Sequence, residues 1–268
     1  MTDTDDPARL AAEAAQAVRD RFGVEGADVA FVLGSGWSAA ADRLGETVGS
    51  VPLETLPGFA APVVAGHGGE LRLVRTTAGR TALVFTGRTH FYEGRGVEPV
   101  VHGVRTAAAA GVRTLVLTNG CGGLRTEWGP GTVVLISDHI NLTAATPLRG
   151  PTFIDLTEAY SRRLRALARE VDPALPEGVY VQFRGPSYET PAEVRMAGAI
   201  GGDLVGMSTS LETVAAREAG LEVLGLSLVT NLAAGISPEP LDHAEVIAAG
   251  RAAAPRLQTL LAGLAERL

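Results

Sequence analysis

Short apolar runs, separated by segments with helix-start chemistry, are the feature that most constrains the fold of this chain. The runs span residues 29–33, 71–74, 82–85, 114–117, 133–136, 179–183 and 223–229. Most of them lack the strict alternation of a half-exposed strand, which favours strands buried on both faces. Strands that alternate with helices predict an α/β fold.

Four helix starts can be read from capping chemistry. An N-cap at Asp6, followed by proline and by apolar residues at helical spacing, predicts a helix to about Phe22. Thr190, Thr209 and Asp242 each stand three residues before a glutamate, which is the capping-box pattern. We expect a helix to begin at each of these positions.

The sequence predicts one domain over residues 1–268. It has no proline- and serine-rich linker, low-complexity tract or repeat period that would divide it. Hydrophobic residues make up 46% of the chain, beside 33 glycines, which suits a globular fold with many tight loops. We expect a central mixed β-sheet flanked by helices.

Charge and cysteine content exclude several classes of function. The formal net charge is −7, from 23 basic and 30 acidic residues, so we expect no binding to nucleic acid or to an anionic membrane. A single cysteine, Cys121, leaves no intrachain disulfide and favours a reducing compartment, the cytoplasm. The acidic start does not resemble a signal peptide, and no apolar stretch reaches the roughly 20 residues of a membrane span.

The segment LGSGW (33–37) directly follows an apolar run. Its glycines permit close approach, and backbone N–H groups and the Ser35 hydroxyl could hold a phosphate. The segment also fits a loose dinucleotide-binding pattern, but no acidic residue ends a second strand about 20 residues on. A tight turn without a ligand is the leading interpretation of this motif alone.

The next candidates also follow predicted strands, where open α/β sheets bind ligands. GRTHFYEG (87–94) offers Arg88 and His90 as donors to a phosphate, with a solvated surface loop as an equally good interpretation. TNGCGG (118–123) has three glycines that let the main chain approach a ligand. We expect Cys121 to be an inert buried thiol, because no histidine or cation neighbours it in sequence.

Three later segments complete the set. Glu189 precedes a capped helix and could accept a donor from a planar heterocycle, although favourable charge at a helix N-terminus is the leading interpretation of this residue alone. Ser208 precedes the Thr209 cap, where N–H groups and the helix dipole favour an anion. Thr230 and Asn231 follow the last predicted strand, and a further histidine, at position 243, begins the closing helix.

Motifs of other enzyme classes are missing from the sequence. It has no serine-hydrolase nucleophile elbow, no zinc-protease helix motif and no nucleoside triphosphate-binding loop. The five histidines lack metal-binding spacing, so we expect no metal, and we expect His102 and His139 to be structural.

Together and in order, these segments resemble the trimeric purine nucleoside phosphorylase family from Leu33 to the closing helix. The matching blocks are LGSGW (33–37), AGHGG (65–69), GRTHFYEG (87–94), TNGCGG (118–123), ISDHINLT (136–143), GPSYET (185–190), VGMST (205–209) and TNLAAGIS (230–237). Alanines are common in the family at Gly120 and Cys121, and a small residue is usual at Arg184.

The resemblance implies a set of functional residues. The family's phosphate site corresponds to Ser35, His67, Arg88, His90, the backbone around Gly120, and Ser208. Its ribose contacts correspond to Tyr92, Met207 and His243, and its purine contacts to Tyr188, Glu189, Thr230 and Asn231. A phenylalanine from the adjacent subunit closes the family's site, and Phe153 is the candidate here.

The resemblance also implies an activity. Phosphate would split inosine or guanosine into free purine and (2-deoxy)ribose 1-phosphate in purine salvage, as a co-substrate and with no cofactor. His90, Glu189 and Asn231 would be the catalytic residues of a homotrimer with sites near its subunit interfaces. The alternatives are a methylthioadenosine phosphorylase, which typically carries aspartate at position 231, and a non-catalytic purine-binding protein.

Overall fold

The computed structural model describes residues 6–60, 69–237 and 241–268. Its helices are α1 (Pro7–Phe22), α2 (Glu98–Ala109), α3 (Arg162–Val171), α4 (Pro191–Ala199), α5 (Ser210–Glu218) and α6 (His243–Ala265). Its strands are β1 (Val29–Val32), β2 (Gly45–Pro52), β3 (Glu70–Thr76), β4 (Thr81–Phe85), β5 (Thr114–Gly123), β6 (Val133–Asn141), β7 (Glu177–Gln182), β8 (Leu204–Gly206) and β9 (Glu222–Leu232).

The strands form one mixed sheet in the order β2-β3-β4-β1-β5-β8-β7-β6-β9. An additional parallel pairing of β5 with β9 closes the last five strands into a ring. Strands β1, β4, β5 and β9 run parallel to one another, so their carboxyl ends meet at one edge. The mixed sheet flanked by helices confirms the predicted fold class.

Helices cover both faces of the sheet. In β1, Ala30 and Val32 pack in the cluster that includes α1, α2 and α5, whereas Val29 and Phe31 pack in the cluster that includes α3 and α6. Successive side chains of a strand point to opposite faces, so burial of all four explains why this run is continuously apolar.

The predicted helix starts are confirmed. The Asp6 carboxylate accepts a hydrogen bond from the Ala8 N–H at 3.1 Å, and Gly23, with φ 66°, ends α1 in the left-handed conformation. Thr190 caps α4 in a capping box with Glu193. Helices α5 and α6 begin directly after Thr209 and Asp242.

Three strands, β5, β6 and β9, extend at least three residues past their predicted carboxyl ends, and two strands and two helices were not predicted. Residues 118–123 continue β5 rather than following it, and Thr230 and Asn231 lie inside β9. Strand β8 has three residues, and β2 is mostly exposed, so neither produces an apolar run. Four arginines in α3 and a glycine and a histidine in α2 obscured their helical pattern. No helix in the described ranges has the length and apolar character needed to cross a bilayer.

Candidate active site

A cavity of about 390 Å³ lies at the carboxyl ends of the parallel strands. It is lined by Ser35, Arg88, His90, Tyr92, Asn119, Gly120, Cys121, Gly122, Pro186, Tyr188, Glu189, Val205, Gly206, Met207, Ser208, Thr230, Asn231, Ala233, Leu241 and Val246. It therefore brings together predicted residues from six separate segments, in the place where open α/β sheets usually bind ligands.

The turn after β1 forms one wall of this cavity. The Gly34 N–H donates to the Thr118 hydroxyl at 3.0 Å, and the buried Trp37 indole N–H donates to the Asn119 carbonyl at 2.8 Å. A Cβ at Gly34 would lie 2.5 Å from the Thr118 carbonyl oxygen and against the Arg88 guanidinium. Glycine is required here by close approach, and the turn presents Ser35 to the cavity.

Arg88 is held from two sides within the protein. Its side chain is 3% exposed; Nε donates to the Glu212 carboxylate at 3.1 Å, and Nη1 donates to the Thr118 carbonyl at 2.6 Å. Nη1 also lies 3.5 Å from the Ser208 hydroxyl. Buried Nη2 has no hydrogen-bond partner among the described residues. A buried cationic donor of this kind is suited to an anionic ligand.

The start of α5 does not offer free N–H groups to an anion, contrary to the sequence prediction for Ser208. The Gln182 side-chain oxygen accepts from the N–H groups of Ser210 and Leu211 at 2.8 and 3.3 Å. The Glu212 carboxylate accepts from the Thr209 N–H at 3.0 Å. Side chains, chiefly those of Arg88 and Ser208, therefore carry the anion-binding chemistry at this position.

His90 and Tyr92 pack as a stacked pair with ring centroids 4.7 Å apart. Burial raises the pKa of Tyr92, Glu93 and Tyr188 raise it further, and Arg88 acts in the opposite direction. Tyr92 lines the cavity and lies within electrostatic reach of both Arg88 and Tyr188.

Glu189 is a second buried charged residue that lines the cavity. The residue is 9% exposed, and its Oε1 has no hydrogen-bond partner among the described residues. Burial raises the pKa of Glu189, and the nearby charge of Glu193 raises it further. Burial likewise raises the pKa of Tyr188, with Glu189 among the charges that add to the shift. Arg88, Tyr92, Tyr188 and Glu189 thus all line the same cavity.

Asn231 is oriented by two hydrogen bonds. Its Nδ2 donates to the Leu232 carbonyl at 3.0 Å, and its Oδ1 accepts from the Thr230 hydroxyl at 2.8 Å. Since a carbonyl can only accept, the nitrogen and oxygen of the amide are assigned unambiguously. One amide N–H remains available at the cavity wall.

The structure leaves the side chains of two predicted residues unplaced and puts a third residue outside the cavity lining. His67 lies outside the described residues, and so does the side chain of His243, although Leu241 and Val246 line the cavity. Phe153 is 93% exposed.

Other expectations about individual side chains are confirmed. Cys121 is buried and burial raises the pKa of its thiol to about 12, so it is not a nucleophile. His102 Nε2 lies 2.8 Å from the Pro57 carbonyl, and His139 Nδ1 lies 3.0 Å from the Tyr160 hydroxyl, which are structural contacts. Arg184 packs over the Phe91 ring with its guanidinium carbon 5.1 Å from the centroid.

Sequence reasoning missed the site roles of Asn119 and Glu212. Asn119 lines the cavity, and its amide donates to the Thr209 hydroxyl at 3.0 Å. Glu212 appeared only as the glutamate of a capping box, yet it also pairs with Arg88. An amide in an apolar strand is a usable sequence signal for Asn119. Glu212 has no such signal, because its partner Arg88 lies 124 residues away in the sequence. The described residues contain no cluster of three potential metal ligands.

The fold and the cavity define an α/β enzyme of the phosphorylase superfamily, whose family profile matches residues 28–266. A purine nucleoside phosphorylase from Cellulomonas sp is 65% identical over 266 residues, covering 98% of this chain and 94% of that protein. The enzyme of that name from Mycobacterium tuberculosis is 58% identical over 262 residues, covering 98% and 97%.

Solved structures give the same result. The Schistosoma mansoni purine nucleoside phosphorylase in complex with inosine has a TM-score of 0.88 at 33% identity, covering 97% of this chain and 96% of that one. The same enzyme in complex with adenosine has a TM-score of 0.89 at 33% identity, covering 97% of each chain. This chain belongs to the purine nucleoside phosphorylase family and is a pentosyltransferase.

Proposed function

We propose that the protein uses inorganic phosphate to cleave inosine and guanosine, and their 2′-deoxy forms, into free purine and (2-deoxy)ribose 1-phosphate, in purine salvage. One observation carries the proposal. A cationic donor, Arg88 Nη2, and a carboxylate acceptor, Glu189 Oε1, are both buried without a partner among the described residues, and the two residues line one cavity. Their chemistry matches a phosphate and a 6-oxopurine.

Phosphate binds at the Arg88 end. Arg88 supplies charge and Nη2, Ser208 and Ser35 supply hydroxyls, and His90 and the backbone at Gly120 complete the set. An added Cβ at Gly120 would lie 3.3 Å from the Ser35 carbonyl oxygen, so the glycine allows the strand and the turn to approach closely. His67 is carried over from the family resemblance alone.

The purine binds at the Glu189 end. An ionised Glu189 accepts the N1–H of a 6-oxopurine, whereas adenine presents a bare acceptor at N1 and would leave the carboxylate unpaired. Tyr188 and Thr230 flank this part of the cavity, and Tyr92, Met207 and His243 serve the ribose between base and phosphate. The family fold admits both bases, since the Schistosoma mansoni relative is solved with inosine and with adenosine.

The reaction proceeds by positioning and by charge stabilisation. A phosphate oxygen forms a bond to C1′ as the bond from C1′ to N9 breaks, and the electron pair of that bond leaves with the purine. The purine then takes up the proton that hydrogen phosphate gives up when it becomes the ribose ester. The free N–H of Asn231 donates to N7 or O6, where negative charge develops. The atoms balance with nucleoside and phosphate alone, so the proposal includes no cofactor.

The two alternatives are less consistent with the site. A methylthioadenosine phosphorylase needs an acceptor for the adenine amino group, but the Asn231 oxygen already accepts from Thr230, and its nitrogen, which donates to the Leu232 carbonyl, can only donate. A non-catalytic purine binder would not need Arg88 buried and directed at a second, anionic subsite.

We also propose a cytoplasmic homotrimer in which Phe153 closes the site of a neighbouring subunit. At 93% exposure, Phe153 is the most exposed large apolar side chain of the described residues, as expected for a group that packs on another chain. Sedimentation of the purified protein measures the oligomeric state directly.

Base release from inosine, guanosine and adenosine, measured with and without phosphate, tests the proposed function. We expect release from inosine and guanosine only when phosphate is present, in equal amounts with ribose 1-phosphate. Release without phosphate, or a preference for adenosine, would overturn it.

A further inference from the structure

Glu212 is a buried carboxylate that joins two elements of the site. Its side chain is 2% exposed in the first turn of α5. Oε1 accepts from Arg88 Nε at 3.1 Å, and Oε2 accepts from the Thr209 N–H at 3.0 Å. Oε1 therefore holds a residue that lines the cavity, and Oε2 holds the neighbour of Ser208, which also lines it.

The contact with Nε helps to fix the orientation of the Arg88 guanidinium. Glu212 occupies Nε, and the Thr118 carbonyl and the Ser208 hydroxyl lie beside Nη1, so Nη2 is the nitrogen left for a ligand. A guanidinium is a rigid planar fork, and fixing one nitrogen fixes the direction of the others. The carboxylate also balances a buried positive charge.

The contact with Thr209 constrains the residue next to Ser208. Thr209 has φ 82°, a conformation that is rare for a β-branched residue and persists only when its surroundings impose it. The Glu212 carboxylate holds its N–H, and the Asn119 amide donates to its hydroxyl at 3.0 Å. The Ser208 hydroxyl lies 3.0 Å from the Thr209 hydroxyl.

We infer that Glu212 is a positioning residue for the inorganic phosphate, acting through Arg88 and Ser208 without touching the ligand itself. This inference rests on the proposed phosphate site. It assigns to Glu212 the alignment of both groups, beyond its role in capping α5.

The test is a double-mutant cycle on the phosphate KM at saturating inosine, with Glu212→Gln, Arg88→Gln and the double variant. We expect Glu212→Gln to raise the phosphate KM by about tenfold or more, because misplaced binding groups lose much of their effect. The inosine KM should change by less than about twofold. The double variant should be much less impaired than the product of the two single effects, since residues that act through one another are not additive, and should exceed Arg88→Gln only by the part of the effect that passes through Ser208.

Glu218→Gln is the matched control. Glu218 ends the same helix, and its partner is Arg105 at 3.2 Å. We expect a wild-type phosphate KM for this variant. A residue that only maintained the fold would raise the KM values for phosphate and inosine together and act additively with Arg88→Gln.

The outcomes separate this inference from the proposed function. A near-wild-type phosphate KM for Arg88→Gln would reject the phosphate site itself. A large effect of Arg88→Gln without one from Glu212→Gln would reject only the role of Glu212. If Glu212→Gln does not fold, Glu212→Asp decides: a phosphate KM raised at least about threefold supports the inference, and a wild-type value overturns it.

Discussion

The hydroxyl of Thr230 donates a hydrogen bond to Oδ1 of Asn231 at 2.8 Å, and so directs the amide nitrogen of its neighbour. The family resemblance implied that Thr230 contacts the purine. Its hydroxyl also lies 3.2 Å from the Cys121 carbonyl, and the residue is 3% exposed, so its polar group is satisfied within the protein. We therefore expect Thr230 to act by orienting Asn231.

Thr230→Val should lower kcat/KM for inosine by about fivefold to tenfold, which corresponds to the roughly 1 kcal/mol of one lost hydrogen bond. Thr230→Ser keeps the hydroxyl and should restore most of the activity. Steady-state kinetics of the two variants tests this role. Equal activities of Thr230→Val and Thr230→Ser would show that the hydroxyl does not orient Asn231.

Asn231→Asp should lower kcat/KM for inosine by about 10²–10³-fold, because a carboxylate cannot donate to a purine that gains negative charge. A nucleoside that carries a methyl group on N7, such as 7-methylguanosine, provides the matched control. Its base leaves without needing a donor at N7, so the variant should lose much less activity on it. Equal losses on both substrates would contradict the role assigned to the amide.

The raised pKa of Glu189 predicts how activity depends on pH. Inosine binding needs the ionised carboxylate, so kcat/KM should fall as the pH drops through a value above the ordinary range for glutamate. Glu189→Gln keeps an acceptor but loses the charge; it should be about tenfold less active and lack this acid limb. The pH profile of both proteins tests this, and an unchanged acid limb in the variant would assign it to another group.

The same burial makes Glu189 a cost to stability. Below its ordinary pKa the carboxyl is protonated in the folded and the unfolded chain and contributes nothing. Above that value the unfolded chain ionises more readily, so the folded protein loses stability as the pH rises towards the raised folded pKa. Glu189→Gln should therefore have a higher Tm at pH 7 without ligand, by an amount that shrinks towards pH 4. An equal or lower Tm at pH 7 would be inconsistent with a buried carboxylate whose pKa is raised.

Gly34→Ala should weaken phosphate binding because the added methyl group overlaps the Thr118 carbonyl and the Arg88 guanidinium. We expect the phosphate KM to rise by about tenfold or more. Gly198→Ala is the control, since its Cβ would lie 3.6 Å from the nearest atom, which belongs to Leu124. If both variants have the same phosphate KM, the close approach at Gly34 does not position Arg88.

Local chemistry predicted most of the fold. Seven strands were visible because burial on both faces forces continuous apolar runs, as in β1, and the helix starts at Thr190 and Thr209 were visible because capping uses few residue types. Strand β8 was missed because three residues, Leu204–Gly206, are too few to form a pattern. The full length of β5 was missed because its last residues are glycine-rich and face a cavity rather than a core.

The site was predicted less completely than the fold, because its geometry depends on contacts between distant segments. Arg88 and Glu189 could be named from their place after strands or before helices. That Glu212 pairs with Arg88, and that Gln182 occupies the N–H groups of α5, follows only from packing in three dimensions. The sequence therefore indicated the chemistry available, and the fold determines which donors remain for a ligand.

Transfer of isotope from phosphate to sugar tests the central claim most directly. The protein is incubated with inosine and phosphate labelled with ¹⁸O at all four oxygens, and the mass of the sugar product is measured. If a phosphate oxygen attacks C1′, the ribose 1-phosphate carries all four labelled oxygens, and no free ribose forms. Free ribose as the primary product would show that water attacks instead, and would contradict a phosphate site at Arg88 and Ser208.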